Sequence, residues 1–331
     1  MPGRKNKGNG RRDGHCTQEE TMLDLQAKAL LKQAEDQGAP DFADLPPPES
    51  RVFFSEFVKT VTNPTADVEI SNRTVPGPAG EVPIRVYRPK LKSGELPCLA
   101  YFHGGGFVIG SLDDYDGVCS RIAQDSECVV VSVDYRLSPE HPFPAAPEDC
   151  YAVVEWLAGN GSEVGVDGSQ LAVGGDSAGG NLAAVCALQA RDSKGPAIRY
   201  QLLLYPVTSS RGESTESFRQ FADGYFLTAD TMAYFMKHYT GGQGDPDDQR
   251  LAPLTARLND LPPALVLVAG FDPLRDQGIA YAEKMIKDGS QAVLVNYRGT
   301  IHGFISLAGA LEAGQQALDH ISGALKRAMH G

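Results

Sequence analysis

Six short, almost wholly apolar runs set the frame of this chain: CLAYFH (98–103), CVVVSVDYR (128–136), QLAVGG (170–175), YQLLLYPV (200–207), ALVLVAGFD (264–272) and AVLVNYRG (292–299). A strand that alternates apolar and polar residues can rest one face in water. A strand apolar at nearly every position must be covered on both faces. Stretches with helical patterning separate and follow these runs, at 117–126, 146–158, 178–191, 274–288 and 308–329. Strand–helix alternation of this kind predicts an α/β fold, a mostly parallel central sheet flanked by helices. Ahead of the first run, VEISNRTV and VPIRVYRP read as a hairpin joined through PGPAGE.

Two segments break the alternation. Residues 19–37 put Leu23, Ala27, Leu30, Leu31 and Ala34 on one helical face, closed by Gly38 and Pro40. PPPES (46–50) reads as a linker and FFSEFV as a second short helix. More than fifty residues then separate Val207 from Ala264, and they carry Tyr225, Phe226, Met232, Tyr234, Phe235 and Met236. That is too much apolar material for a connecting loop. The expected organisation is N-terminal cap helices over 18–60 and the main α/β domain over 61–331 with a cap insertion at about 208–250. Ordinary packing of the inserted helices on the sheet is the alternative. Residues 1–17 are basic and glycine-rich, and no apolar stretch follows Arg11 and Arg12. The expectation there is a disordered tail rather than a signal peptide.

Charge narrows the partners. The 331 residues hold 42 acidic and 30 basic side chains, a net charge of −12. That balance argues against nucleic acid and anionic membranes. No run approaches the ~18 apolar residues of a membrane span. The six cysteines form no C-x-x-C pair, and Cys98, Cys128 and Cys186 sit inside apolar runs as small buried residues. A reduced, cytoplasmic protein without metal or cofactor is the expectation.

VGGDSAGGN (173–181) surrounds one hydroxyl with small residues. Gly175-Asp176-Ser177-Ala178-Gly179 follows a buried strand and opens an alanine-rich helix, the setting of a nucleophile elbow. In such a turn the serine is strained, and the residues two before and two after come too close for side chains. A serine hydroxyl needs a base. Of the seven histidines, His302 in GTIHGF follows the last strand and so returns to the sheet edge that carries Ser177. The base needs an orienting carboxylate. Asp272 ends a buried strand at the same edge, whereas Asp276 falls in the first turn of the next helix, where an acid complements the helix dipole. The chain order Ser177, Asp272, His302 is that of α/β-hydrolases.

Acyl transfer also needs amide donors for the developing oxyanion, worth ~3 to 4 kcal/mol each. His103-Gly104-Gly105-Gly106-Phe107 follows the CLAYF strand at the same edge. The donors are assigned to Gly104, Gly105 and Ala178. A dinucleotide loop fails on spacing, because Ile109 stands where the third glycine is required. Phe107, Phe226, Leu274, Phe304 and Ile305 flank these motifs and are candidates for the acyl or alcohol pocket, with core packing the other account of each. Asp176 either bonds to the glycine loop or meets the alcohol.

Through HGGGF, GDSAGG, DPLRD, HGF and the phrase DYRLSPEHPFPAAPED, the chain from about residue 50 onward resembles the hormone-sensitive-lipase group of α/β-hydrolase esterases. The resemblance implies a serine carboxylesterase acting on short- to medium-chain acyl esters. It also implies a cap built from N-terminal helices plus an insertion after the sixth strand. A small-molecule ester is the expected partner, and a homodimer the expected assembly. The alternatives are an amidase or deacetylase with the same triad, and a non-catalytic small-molecule binding protein of the same fold.

Overall fold

The computed structural model describes residues 22–90 and 92–331. The tail expected at 1–17 and the start of the first expected helix lie outside the described residues. Eight strands form one sheet: β1 (Val68–Gly77), β2 (Gly80–Pro89), β3 (Leu96–Phe102), β4 (Val129–Val133), β5 (Val166–Asp176), β6 (Ile198–Leu204), β7 (Ala264–Phe271) and β8 (Ala292–Ile301). Their order is β1-β2-β4-β3-β5-β6-β7-β8. The β1–β2 and β2–β4 pairs are antiparallel and the rest are parallel.

Every residue of β3, β4 and β7 is buried, as strands covered on both faces require. On one face, α4 (Ala145–Asn160), α5 (Ala178–Ser193) and α8 (Arg275–Lys287) pack over Ala100, Val131, Val173 and Val266. On the other, α3 (Asp116–Ser126) and α9 (Glu312–His330) cover Leu99, Val130, Leu202 and Leu265.

Several strand ends differ from expectation; β5 begins four residues early at Val166 and β8 runs on to Ile301, while two strands stop short. The fourth strand stops at Val133 rather than at residue 136, because Val133 is the last residue paired with β2 and the last paired with β3. Beyond it the Asp134 amide reaches back, donating to the Pro83 carbonyl at 3.0 Å. The sixth stops at Leu204 because Tyr205 turns to φ 37° and Pro206 has no amide proton to give.

The expected linker at 46–50 is a correction. Pro47 opens α2 (Pro47–Val61), which runs on through FFSEFV as a single helix. Proline suits a first helical turn, where its missing N–H would have no partner. Helix α1 (Leu25–Asp36) starts at Asp24, whose carboxylate caps the Gln26 and Ala27 amides. Between β6 and β7 lie α6 (Glu216–Phe221) and α7 (Ala229–Thr240). Asp41 joins the two outlying parts: its carboxylate accepts from Thr228 Oγ1 at 2.6 Å and Thr231 Oγ1 at 2.5 Å, at the start of α7.

Candidate active site

The turn from β5 into α5 carries Ser177 at φ 55°, ψ −115°, a region that non-glycine residues rarely occupy. Its neighbours explain the glycines. A Cβ on Gly175 would lie 2.2 Å from the Phe102 carbonyl oxygen, and one on Gly179 only 1.8 Å from it. Small residues let the turn press against the end of β3. Ser177 itself stands at the N-terminus of α5, whose partial positive charge favours a nearby anion.

His302 follows β8 directly and Asp272 follows β7, so the parallel sheet delivers both to the edge where β5 ends. His302 Nε2 is 3.0 Å from Ser177 Oγ, and His302 Nδ1 is 2.8 Å from Asp272 Oδ2. A carboxylate only accepts, so Nδ1 carries the proton and Nε2 presents its lone pair to the hydroxyl. Asp272 is fully buried, and its second oxygen accepts the Leu274 amide at 2.7 Å. The carboxylate is thereby held from both sides. The Tyr205 ring meets the imidazole edge-on at 4.9 Å.

Asp276 is engaged elsewhere. It accepts the Ser217 amide of α6 at 2.7 Å and Arg275 Nε at 2.9 Å. Burial works to raise its pKa, but those donors hold it below the ordinary carboxylate value.

The glycine loop brings a correction. The Gly104 amide donates to Asp176 Oδ1 at 2.9 Å, so it has no proton left for an oxyanion. Asp176 is buried and also accepts from Tyr101 Oη at 2.8 Å and Tyr115 Oη at 3.2 Å. Burial raises its pKa, against the Tyr101 hydrogen bond. Of the two roles open to Asp176 from sequence, bonding to the glycine loop is the one observed. The Gly105 and Gly106 amides have no protein acceptor among the described residues. Gly105 lies at φ 109° and Gly106 at φ 59°. His103 is buried, its Nδ1 2.7 Å from the Gly104 oxygen, and desolvation lowers its pKa. It braces the loop, with Tyr135 Oη donating to its carbonyl at 2.8 Å.

A cavity of about 630 Å³ opens over Ser177 and His302. Phe107, Asp176, Phe226 and Leu274 line it. Phe304 and Ile305 do not: both are buried in the core beneath α9, and the neighbouring Ser306 and Leu307 reach the cavity in their place. Phe42, Phe54, Tyr115 and Phe235 also line it. Nothing in their spacing marks them: Phe54 and Phe235 arrive with the docking of α2 and α7, Phe42 lies between α1 and α2, and Tyr115 lies just ahead of α3.

Residues 99–306 match the model of an alpha/beta hydrolase fold family. The chain is 42% identical to esterase LipI of Mycobacterium tuberculosis over 269 residues, covering 80% of this chain and 84% of that protein. It is 37% identical to an ethyl acetate hydrolase of Pseudomonas putida over 250 residues, 74% and 78% of the two chains. Among solved structures, the ester hydrolase EH1AB1 from the metagenome of Lake Arreo, in complex with a bipyridine phosphonate derivative, superposes with a TM-score of 0.89 at 42% identity. That match covers 92% of this chain and 99% of the other. Sheet order, elbow and relatives agree, and the chain belongs to the hormone-sensitive-lipase-like esterases of the alpha/beta hydrolase fold, a family of carboxylic ester hydrolases.

Proposed function

We propose that the chain hydrolyses short- to medium-chain acyl esters through an acyl-enzyme on Ser177. The observation that carries this reading is the continuous hydrogen-bonded line Ser177 Oγ–His302 Nε2, His302 Nδ1–Asp272 Oδ2. His302 takes the hydroxyl proton as Ser177 attacks the acyl carbon, and then gives it to the departing alcohol oxygen. Asp272 holds the imidazole in its tautomer and stabilises the imidazolium. Water, deprotonated by His302, attacks the acyl-enzyme, and the proton returns to Ser177 as the acid leaves. No step calls for a cofactor.

Gly105, Gly106 and Ala178 are the donors we assign to the oxyanion. Gly105 and Gly106 line the cavity beside Ser177, and Ala178 is the first residue of α5, where an amide has no intrahelical acceptor. A cavity of about 630 Å³ suits a small ester. We read α1, α2, α6 and α7 as a cap over the sheet edge, because α2 and α7 supply Phe54 and Phe235 to the same cavity.

Ser177→Ala should lower kcat for p-nitrophenyl butyrate by about 10⁴-fold or more while leaving the circular dichroism spectrum unchanged. Near-native turnover by a folded variant would remove Ser177 from the mechanism.

A further inference from the structure

A second cavity of about 1130 Å³ lies between α1, α2 and the segment joining α6 to α7. Leu30, Phe53, Phe57 and Tyr225 give it apolar walls, and its polar rim comes from exposed residues of α1 such as Lys28 and Gln33. Phe42, Phe226 and Thr231 line both cavities and so stand between them. Thr231 is fixed by Asp41, and Phe42 is packed by Phe53 at 5.5 Å and Phe235 at 6.2 Å.

Phe226 is the member beside the chemistry. Its Cε1 lies 3.5 Å from where a Cβ on Gly303, next to His302, would stand. Phe57 packs on it from the second cavity at 5.7 Å. Its backbone is held at φ 76°, which a bulky residue adopts only under constraint. Such constraint is characteristic of ligand-contacting positions. In acyl transfer the leaving oxygen takes its proton from the base, so the alcohol half of an ester lies on the His302 side. Phe226 therefore borders the alcohol rather than the acyl group.

We propose that Phe226 is a specificity-determining partition that sets how large an alcohol moiety the site admits, with the second cavity as the space a larger aromatic alcohol enters when the ring is cut back. The proposal rests on the esterase reading above. It is tested with two substrate pairs that vary one half of the ester at a time. In Phe226→Ala, kcat/KM for 4-phenylphenyl acetate relative to phenyl acetate should rise about tenfold or more over wild type. The ratio of p-nitrophenyl octanoate to p-nitrophenyl acetate should stay within about twofold, because the acyl side is untouched. An unchanged first ratio overturns the proposal, and so does a shift confined to the acyl pair. Phe226→Leu serves if the alanine variant does not fold, with an expected rise of about threefold in the first ratio. A wild-type protein inert toward phenyl acetate would instead defeat the esterase reading itself, an outcome the ratios do not mimic.

Discussion

At the scale of single residues, the site separates two acids that lie four positions apart. Asp272 is buried against His302, whereas Asp276 ties α8 to α6. Asp272→Asn should lower kcat by about 10³- to 10⁴-fold, since an amide at that position favours the wrong imidazole tautomer. Asp276→Asn should change kcat by less than about tenfold and act mainly on thermal stability. Steady-state kinetics on both variants checks the ranking, and the reverse order would reassign the acid. The hydrogen-bonded line of Ser177, His302 and Asp272 was legible from sequence because each member has a local mark: small residues around Ser177, and the ends of buried runs before Asp272 and His302. The donors we propose for the oxyanion were legible only in part. Gly104, Gly105 and Gly106 are equivalent in a string of letters. Only the carboxylate of Asp176, 72 positions away, singles out Gly104 by occupying its amide.

At the scale of elements, the loop after β4 shows what the phrase DYRLSPEHPFPAAPED builds. Arg136 makes a two-pronged pair with Asp149 of α4 through Nε and a terminal nitrogen, each at 2.8 Å, and its backbone amide donates to the same carboxylate at 3.0 Å. Asp149 is buried. Removing its carboxylate leaves the Arg136 backbone amide without its acceptor and the partly exposed guanidinium with Glu148 at 4.0 Å as its acidic partner, a loss of about 1 to 3 kcal/mol. Asp149→Ala should therefore lower the unfolding midpoint by several degrees, read by scanning calorimetry, with a smaller effect on KM. Arg51 of α2 extends the same construction, donating to the Val108 and Ser138 carbonyls at 2.8 and 2.9 Å and pairing with Glu140. Element identities were largely readable from hydrophobic period. Several boundaries were not, because Val133 and Leu204 end their strands for reasons set by neighbouring chain. The prolines at 46–48 were misread for a related reason. Proline breaks a helix interior but opens a helix readily, and the pattern that decides between these begins only after it.

At the scale of the whole molecule, the C-terminal helix is fastened across the sheet face by charge. Lys326 of α9 and Lys92 both pair with Glu127 at 2.5 Å, and Arg121 of α3 reaches Asp319 at 2.7 Å. Lys326 and then Lys92 pull the Glu127 pKa from 4.5 down to about 2. A carboxylate depressed in the folded state stabilises the fold above its unfolded pKa, and that gain fades as pH falls from about 4.5 to about 2. Solvent screens the pair, so the effect is small, about 0.5 kcal/mol. Glu127→Gln should melt slightly below wild type at pH 7, and the gap should narrow as pH falls from about 4.5 toward about 2, or in molar salt. A gap that widens in acid would contradict the assignment. Among the described residues, no helix is long and apolar enough to cross a membrane.

Ser177, Asp272 and His302, the groups we propose as reacting, each follow a strand end, while α2, α6 and α7 add Phe54, Phe218 and Phe235 to the cavity wall. Much of the wall thus comes from other stretches of chain than the proposed chemistry. If the mechanism we propose holds, replacing the helices above the sheet with those of a relative should alter which esters enter while leaving Ser177, His302 and Asp272 in line.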